Sequence, residues 1–260
     1  MTKKNSKNTK RNEKRVLVLR TCAANMESYN GFKWPQKGAV ECHDWLPTAK
    51  CGNGLHGFLW GEGNGGLADW AADAKWLVVS VLEKEIVVID RKVKFPRGNV
   101  VFCGGRKEAT DYIAARLPPG RTPAIVGHFA VSGDRGTSNS GVGGTSTSGH
   151  GGTSTSGDYG TSTSGDCGTS TSGYRGTSTS GDCGTSTSGD RGTSTSGDYG
   201  TSSSGDGGTS TSGEYGTLMI KWYDSKSSRY RTATAYVGEN GIKANVKYRL
   251  DSKEKFEEVK

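Results

Sequence analysis

Gly160-Thr-Ser-Thr-Ser-Gly-Asp-Cys167 is followed without a break by Gly168-Thr-Ser-Thr-Ser-Gly-Tyr-Arg175, and this octad, Gly-Thr-Ser-Thr-Ser-Gly-x-x, is repeated ten times in succession from Gly136 to Tyr215. Within each unit the tetrad alternates, and in an extended chain successive side chains point to opposite faces. Thr161 and Thr163 then share one face, and Ser162 and Ser164 the other. Gly160, Gly165 and Asp166 bound the tetrad; Gly and Asp favour turns because they tolerate positive φ or bond their own backbone. Each octad reads as a short strand plus a corner.

One octad is too short to wind around a core, so the smallest coil is two octads, with two flat strands joined by two turns. Coils of a sheet stack about 4.8 Å apart, so ten octads predict about five coils in a rod about 24 Å long. The corner residues test this circumference of sixteen residues. It places Cys167 over Cys183 and Tyr199 over Tyr215, a ladder of like over like, and also Arg175 over Arg191, which repel. A three-sided coil of 24 residues loses these pairs.

Size decides which face is inside. A two-strand coil encloses a narrow interior that Ser can fill, whereas β-branched Thr favours an exposed strand surface. The candidate binding surface is therefore two Thr-x-Thr faces, made by Thr145, Thr147, Thr153, Thr155, Thr161, Thr163, Thr169, Thr171, Thr177, Thr179, Thr185, Thr187, Thr193, Thr195, Thr209 and Thr211. In the octad that starts at Gly216 the inward positions become Leu218 and Ile220, and in the segment from His128 the Thr positions become Phe129 and Val131. Both flanks read as capping repeats. A disordered Gly/Ser/Thr linker has the same composition. It has no reason, however, to keep Thr and Ser in alternation while its corners drift.

Asp158-Tyr-Gly-Thr-Ser-Thr-Ser-Gly165 resembles the octapeptide half of the sixteen-residue repeat of bacterial ice-nucleation proteins, in which a Thr-x-Thr strand follows a Tyr-Gly corner. The resemblance implies a β-solenoid whose Thr-x-Thr rows order water, with ice or another ordered surface as partner. The flanking segments resemble uncharacterised domains of bacterial and phage genomes, and that likeness implies no activity.

Hydrophobic residues make up 31% of the 260-residue chain, below the 45 to 50% usual for globular proteins, and the array accounts for the deficit. The net charge of +8 is uneven: residues 1–15 carry seven Lys or Arg and one acid, the array seven acids and two Arg, and the last 45 residues ten bases and six acids. A basic head can contact nucleic acid or an anionic surface, or remain a solvated tail. No apolar run approaches the ~20 residues that span a membrane, and the head lacks a secretory signal pattern. The expectation is a cytoplasmic protein whose six cysteines are mostly reduced thiols.

The predicted fold class is mainly β. A disordered basic tail (1–14) precedes a small α+β domain (15–119), an N-terminal solenoid cap (120–135), a two-sided β-solenoid (136–215) and a C-terminal β cap (216–260). In the α+β domain, Arg15–Arg20, Trp76–Val81, Glu85–Asp90 and Asn99–Cys103 read as strands. Leu67–Ala74 and Lys107–Leu117 have helical spacing, the latter stopped by Pro118-Pro119-Gly120.

Two constellations there carry possible chemistry. Cys42, His43, Cys51 and His56 are four potential zinc ligands, without the Cys-x-x-Cys pair of known fingers; buried thiols and structural histidines are the plainer reading. Gly52-Asn-Gly54-Leu55-His56, with Arg20 on the first strand and Glu83 and Glu85 further on, is similar in outline to ADP-ribosyltransferases. That likeness implies a Gly-rich strand facing NAD and a Glu stabilising an oxocarbenium-like centre. The domain lacks a Ser-Thr-Ser motif, and a Gly-rich turn set by backbone geometry explains the same residues. No phosphate loop, nucleotide fingerprint or Ser-His-Asp order is present, so no cofactor is expected.

After the array, Thr217–Tyr223, Tyr230–Val237 and Lys247–Leu250 read as strands joined by turns at Asp224–Ser228 and Gly238–Gly241. Trp222, Tyr223, Arg229, Tyr230 and Arg231 can stack on a base or sugar, or simply cover the last coil. The whole chain reads as a non-enzymatic repeat protein presenting flat Thr-rich faces for binding or self-association. Ice binding and an ADP-ribosyltransferase-like N-terminal domain are the alternatives.

Overall fold

The computed structural model describes residues 13–122 and 124–259. Most of the basic head, residues 1–12, therefore lies outside the described residues.

The N-terminal part is an antiparallel seven-stranded sheet with one helix. Its elements are β1 (Arg15–Cys22), β2 (Gly38–Glu41), β3 (Leu55–Leu59), β4 (Lys75–Leu82), β5 (Val87–Ile89), β6 (Lys92–Phe95), β7 (Arg97–Gly104) and α1 (Arg106–Ala114). The strand order is β2-β7-β4-β1-β3-β6-β5. β4 reads Lys-Trp-Leu-Val-Val-Ser-Val-Leu and lies inside the sheet between β7 and β1, where β-branched residues pack on both faces; Leu77, Val78, Val79 and Val81 are fully buried. Ile113 and Ala109 of α1 close one side of this core. Full burial of each large aliphatic side chain is worth about 1.5–3 kcal/mol.

Several local readings are corrected here. Leu67–Ala74 is not a helix: a short 3-10 turn spans Gly65–Leu67 and the chain then leaves it. The Asp69 amide donates to Thr21 Oγ1 at 2.8 Å and Asp69 Oδ1 accepts from the Ala71 amide at 3.0 Å, so local side-chain bonds take the groups a helix would use. Glu85–Asp90 divides into a 3-10 turn at Glu83–Glu85 and the short β5. β6 escapes the sequence reading because Lys94 interrupts its apolar run. Lys94 is nevertheless fully buried, its Nζ donating to the carbonyls of Lys50 and Gly52 at 3.0 and 3.2 Å beneath the Trp45 ring. α1 ends at Ala114, a turn before the expected stop, with Ile113 buried and Leu117 only partly so.

The repeat forms a β-solenoid with sixteen residues per coil. Thr161 pairs with Thr145 and Thr177 in parallel register on one sheet, and Thr169 with Thr153 and Thr185 on the other. Each sheet stacks six parallel strands, so there are six coils where ten octads alone give five. The added legs come from the flanks: Phe129 and Val131 sit beside Thr145 and Thr147, and Leu218 and Ile220 continue the buried columns of Ser202 and Ser204. Every serine of the tetrads from Ser146 to Ser212, apart from the outward Ser203, is buried. Replacing Ser by Leu218 and Ile220 fills the last coil with apolar volume where no further coil follows.

Two devices hold the corners. The last residue of each octad adopts left-handed backbone, with φ of 52° to 57° at Tyr159, Cys167, Arg175, Cys183, Arg191, Tyr199 and Tyr215, and glycine fills the same place at 143, 151 and 207. The residue before it is usually Asp, whose Oδ1 accepts an amide one coil on: Asp158 from Tyr174 at 2.8 Å, Asp182 from Asp198 at 2.9 Å, Asp198 from Glu214 at 2.8 Å.

The sheet domain packs on the first coil. Ile125 and Val126 are fully buried, the Val126 amide donates to the Gly61 carbonyl at 2.9 Å, and the Gly141 amide to the Ile125 carbonyl at 2.9 Å. A Cβ on Gly143 would lie 2.4 Å from the Trp70 ring, and Arg106 covers Phe129 at 4.5 Å. At the far end Thr217–Asp224 pairs antiparallel with Arg229–Tyr236, and Tyr248–Leu250 with Phe256–Glu258 extends the other sheet. The last of these strands escapes the sequence reading. Trp222, Tyr223, Tyr230 and Arg231 face one another across this hairpin, with Tyr223 and Tyr230 in edge contact at 5.2 Å.

Candidate functional site

The outward face of each sheet follows from the pleat: with serines pointing in, alternate threonines must point out. All sixteen threonines named from the sequence are exposed or half-buried, and their columns run in register. On the first sheet Thr145, Thr161, Thr177, Thr193 and Thr209 form one column and Thr147, Thr163, Thr179, Thr195 and Thr211 the other, with no interruption.

The second sheet is broken. Its columns hold Thr153, Thr169 and Thr185 beside Thr155, Thr171 and Thr187, but the outer rungs carry Asn139, Ser203 and Met219 in the second column. The faces therefore differ: five complete Thr-x-Thr rungs against three.

The backbone beneath these hydroxyls is used up internally. Thr161, Thr177 and Thr193 amides donate to Gly144, Gly160 and Gly176 carbonyls at 2.9 Å. Thr209 Oγ1 donates to Thr193 Oγ1 at 3.2 Å, and among the described residues no other threonine hydroxyl of the array bonds to protein. The faces thus offer regularly spaced free hydroxyls and methyls whose χ1 is restricted by β-branching.

The corner ladder is assembled as well. Tyr199 and Tyr215 stack with ring centroids 5.1 Å apart and planes at 15°, both largely exposed. Tyr159 meets Tyr174 edge-on at 5.7 Å. Cys167 and Cys183 are exposed free thiols on adjacent coils; partial desolvation, then the neighbouring Cys167, raises the Cys183 pKa.

The two constellations of the N-terminal domain do not assemble. Arg20 pairs across β1 and β4 with Leu77, whereas Glu83 follows β4 beside Lys14, about six residues or ~20 Å along the strand. Glu83 is bound by Lys14 at 2.8 Å at the surface, and the largely buried Glu85 carboxylate by Arg97 at 2.7 Å. Arg20 and His56 do meet, the guanidinium Nη1 lying 3.4 Å from the His56 carbonyl, but no glutamate joins them. Arg20 and Glu83 thus lie near opposite ends of β1. Among the described residues no three His, Cys, Asp or Glu side chains converge to hold a metal ion. Cys42 is half-buried, His43 exposed, and Cys51 Sγ instead accepts from Lys92 Nζ at 3.0 Å, which lowers its pKa. Burial, then Lys92, Arg20 and Lys94, holds the His56 pKa down to about 4.

A family described as a domain of unknown function (DUF7666) matches residues 16–114. An ice nucleation protein of Xanthomonas campestris pv. translucens is 45% identical over 106 residues, 40% of this chain and 7% of that protein. Ice nucleation proteins of Pseudomonas fluorescens and Pseudomonas syringae are 47% and 43% identical over 102 and 104 residues, 38% and 39% of this chain but 8% and 9% of theirs. The chain thus spans less than a tenth of the length of these relatives. No solved structure matches it. Over about two fifths of its length the chain is similar to ice nucleation proteins, and it joins a Thr-rich β-solenoid to a sheet domain that matches a family of unknown function.

Proposed function

We propose that the solenoid binds ordered water, at an ice surface or a similarly regular one, through its first Thr-x-Thr sheet. The observation that carries this reading is the in-register pair of threonine columns, from Thr145 to Thr209 and from Thr147 to Thr211. Strand spacing sets the hydroxyls about 4.8 Å apart along each column and about 6.8 Å apart across it, on a patch about 19 Å long. Such a face needs no rearrangement on binding: the strands are paired and the rotamers restricted, so little conformational entropy opposes contact. The methyls exclude loosely held water while the hydroxyls anchor a fixed layer. The names of the similar proteins support the same reading.

The test is freezing behaviour of the folded full chain. Thermal hysteresis or a raised droplet-freezing temperature is expected, and Thr163→Tyr with Thr179→Tyr removes it, while Thr171→Tyr on the broken second sheet leaves most of it. A freezing curve identical to buffer from a sample with intact β circular dichroism refutes the proposal. Sedimentation at rising concentration separates this role from self-association through the same faces.

A further inference from the structure

One corner of the solenoid carries a chemistry that the threonine faces do not use. Cys167 and Cys183 occupy the same octad position sixteen residues apart, and both are exposed free thiols. Both adopt the left-handed corner backbone, with φ of 54° and 55°, so their side chains leave the chain in the same direction. Two residues on, Thr169 pairs with Thr185 in parallel register. The two coils are also tied at the cysteines themselves. The Cys167 amide donates to the Asp182 carbonyl at 2.7 Å, and Asp166 Oδ1, beside Cys167, accepts from the Asp182 amide, beside Cys183, at 3.1 Å.

This register fixes how far apart the thiols start. Strand spacing sets the two α-carbons about 4.8 Å apart, inside the range of about 4.4–6.8 Å that a disulfide spans. The same corner supplies a direct ruler one coil further on, where the Tyr199 and Tyr215 rings stack at 5.1 Å. Parallel Cβ atoms at the strand spacing lie a few tenths of an ångström beyond the usual disulfide separation of about 3.5–4.5 Å, a movement that two exposed turn residues absorb. The thiols already act on one another: partial desolvation and then Cys167 raise the Cys183 pKa.

We propose that Cys167 and Cys183 form a reversible dithiol–disulfide site that exchanges with a small-molecule disulfide of the glutathione class and staples adjacent coils of the solenoid. One cysteine thiolate attacks a sulfur of the small disulfide, forming a mixed disulfide and releasing the first small thiolate. The other cysteine, as thiolate, attacks the protein sulfur of that mixed bond and expels the second. Two electrons pass from the cysteines to the small disulfide, and the two protons that the cysteines give up end on the two small thiols. Each cysteine lies in the turn between the sheets, so the staple ties Thr161–Ser164 and Thr177–Thr179 of the first sheet to Thr169–Ser172 and Thr185–Ser188 of the second. Exposed disulfides are the labile ones, so the staple follows the thiol poise of its surroundings instead of closing for good.

The experiment equilibrates the full chain with oxidised and reduced glutathione, both folded and in urea, and maps the linked peptides by mass spectrometry. Arg175 lies between the two cysteines, so trypsin separates their peptides unless a disulfide joins them. In the folded chain a Cys167–Cys183 link within the monomer is expected, and excess reduced glutathione removes it. Its equilibrium constant against glutathione is about tenfold or more greater folded than in urea, a difference of about 1.4 kcal/mol that appears also as a higher Tm of the oxidised form. Cys51→Ser, which removes the exposed thiol bound to Lys92, leaves the link in place. Cys183→Ser with Tyr199→Cys sets the second thiol two coils from Cys167, about 9.6 Å away, and abolishes it. The proposal is overturned if the folded chain yields only mixed disulfides or disulfides between copies, if the constant is no greater folded than in urea, if Cys51→Ser removes the link, or if the Tyr199→Cys chain links as readily. The wild-type constants decide the matter even where the double variant fails to fold. None of these readouts depends on freezing activity.

Discussion

The interior of the solenoid offers a comparison in which residue type, burial and repeat position are held constant and only hydrogen bonding differs. Ser162 and Ser178 are both fully buried in the middle of the same sheet, two strands of one column. Ser178 Oγ donates to Ser170 Oγ at 2.9 Å across the core, whereas Ser162 Oγ is buried with no partner. Ser178→Ala removes a hydrogen bond worth about 1 kcal/mol and leaves Ser170 with a donor and acceptor unmatched, so a loss of about 1–2 kcal/mol is expected. Ser162→Ala removes a hydroxyl whose unpaired burial costs about 1–3 kcal/mol, offset in part by the small gap left behind, so stability rises by about 1 kcal/mol. The two variants should separate by about 2 kcal/mol, or about 4–8 °C in Tm at the 2–4 °C per kcal/mol expected for a chain of this size. Denaturant unfolding of the full chain at constant m-value reads the same difference. If both variants move the midpoint in one direction by one amount, the serine hydroxyls are satisfied equally and the distinction drawn from the core geometry is wrong.

Three further outcomes follow from named contacts. Leu218→Ser restores the octad pattern but empties a fully buried site under the last coil; a loss of about 2–4 kcal/mol is expected, with hydrogen exchange rising first around Thr201–Ser204. Arg175 sits at φ 52°, so Arg175→Gly relieves a left-handed residue and gains about 1 kcal/mol, while Gly176→Ala drives a Cβ to 2.7 Å from Ser172 Cβ and loses about 1–3 kcal/mol by thermal melt. For His56 the folded pKa of about 4 lies below the usual ~6.5. Between those values the unfolded chain binds the proton and the native chain does not, so stability rises with pH across this window and is lost on acidification through it. His56→Asn should flatten that part of the pH-stability curve.

The array was legible because two periods coincide in it. A period of two sends Thr and Ser to opposite faces, and a period of sixteen stacks like corner on like, so strand, register and inside-out orientation all follow from the same few residue types. The left-handed corner was half visible: Gly and Asp mark a turn, but the strained residue is the Tyr, Cys or Arg after them. The signal lay in Gly143, Gly151 and Gly207, which occupy that same octad position. The aspartate clamp between coils was likewise written in the recurrent acid one place earlier.

The sheet domain was less legible because its decisive contacts are non-local. Lys94 reads as a strand breaker until the Lys50 and Gly52 carbonyls and Trp45 close over it, and Leu67–Ala74 reads as a helix until Thr21 takes the Asp69 amide. The two Thr faces are unequal. Docking on the sheet domain puts Phe129 and Val131, not threonines, on the first rung of one sheet, yet every rung after it up to Thr211 is complete. On the other sheet Asn139, Ser203 and Met219 fall in the outward column. Counting octads makes the two sheets equivalent, and only their assembly into columns distinguishes them. The continuous columns are therefore where surface binding should fail first when a threonine is replaced.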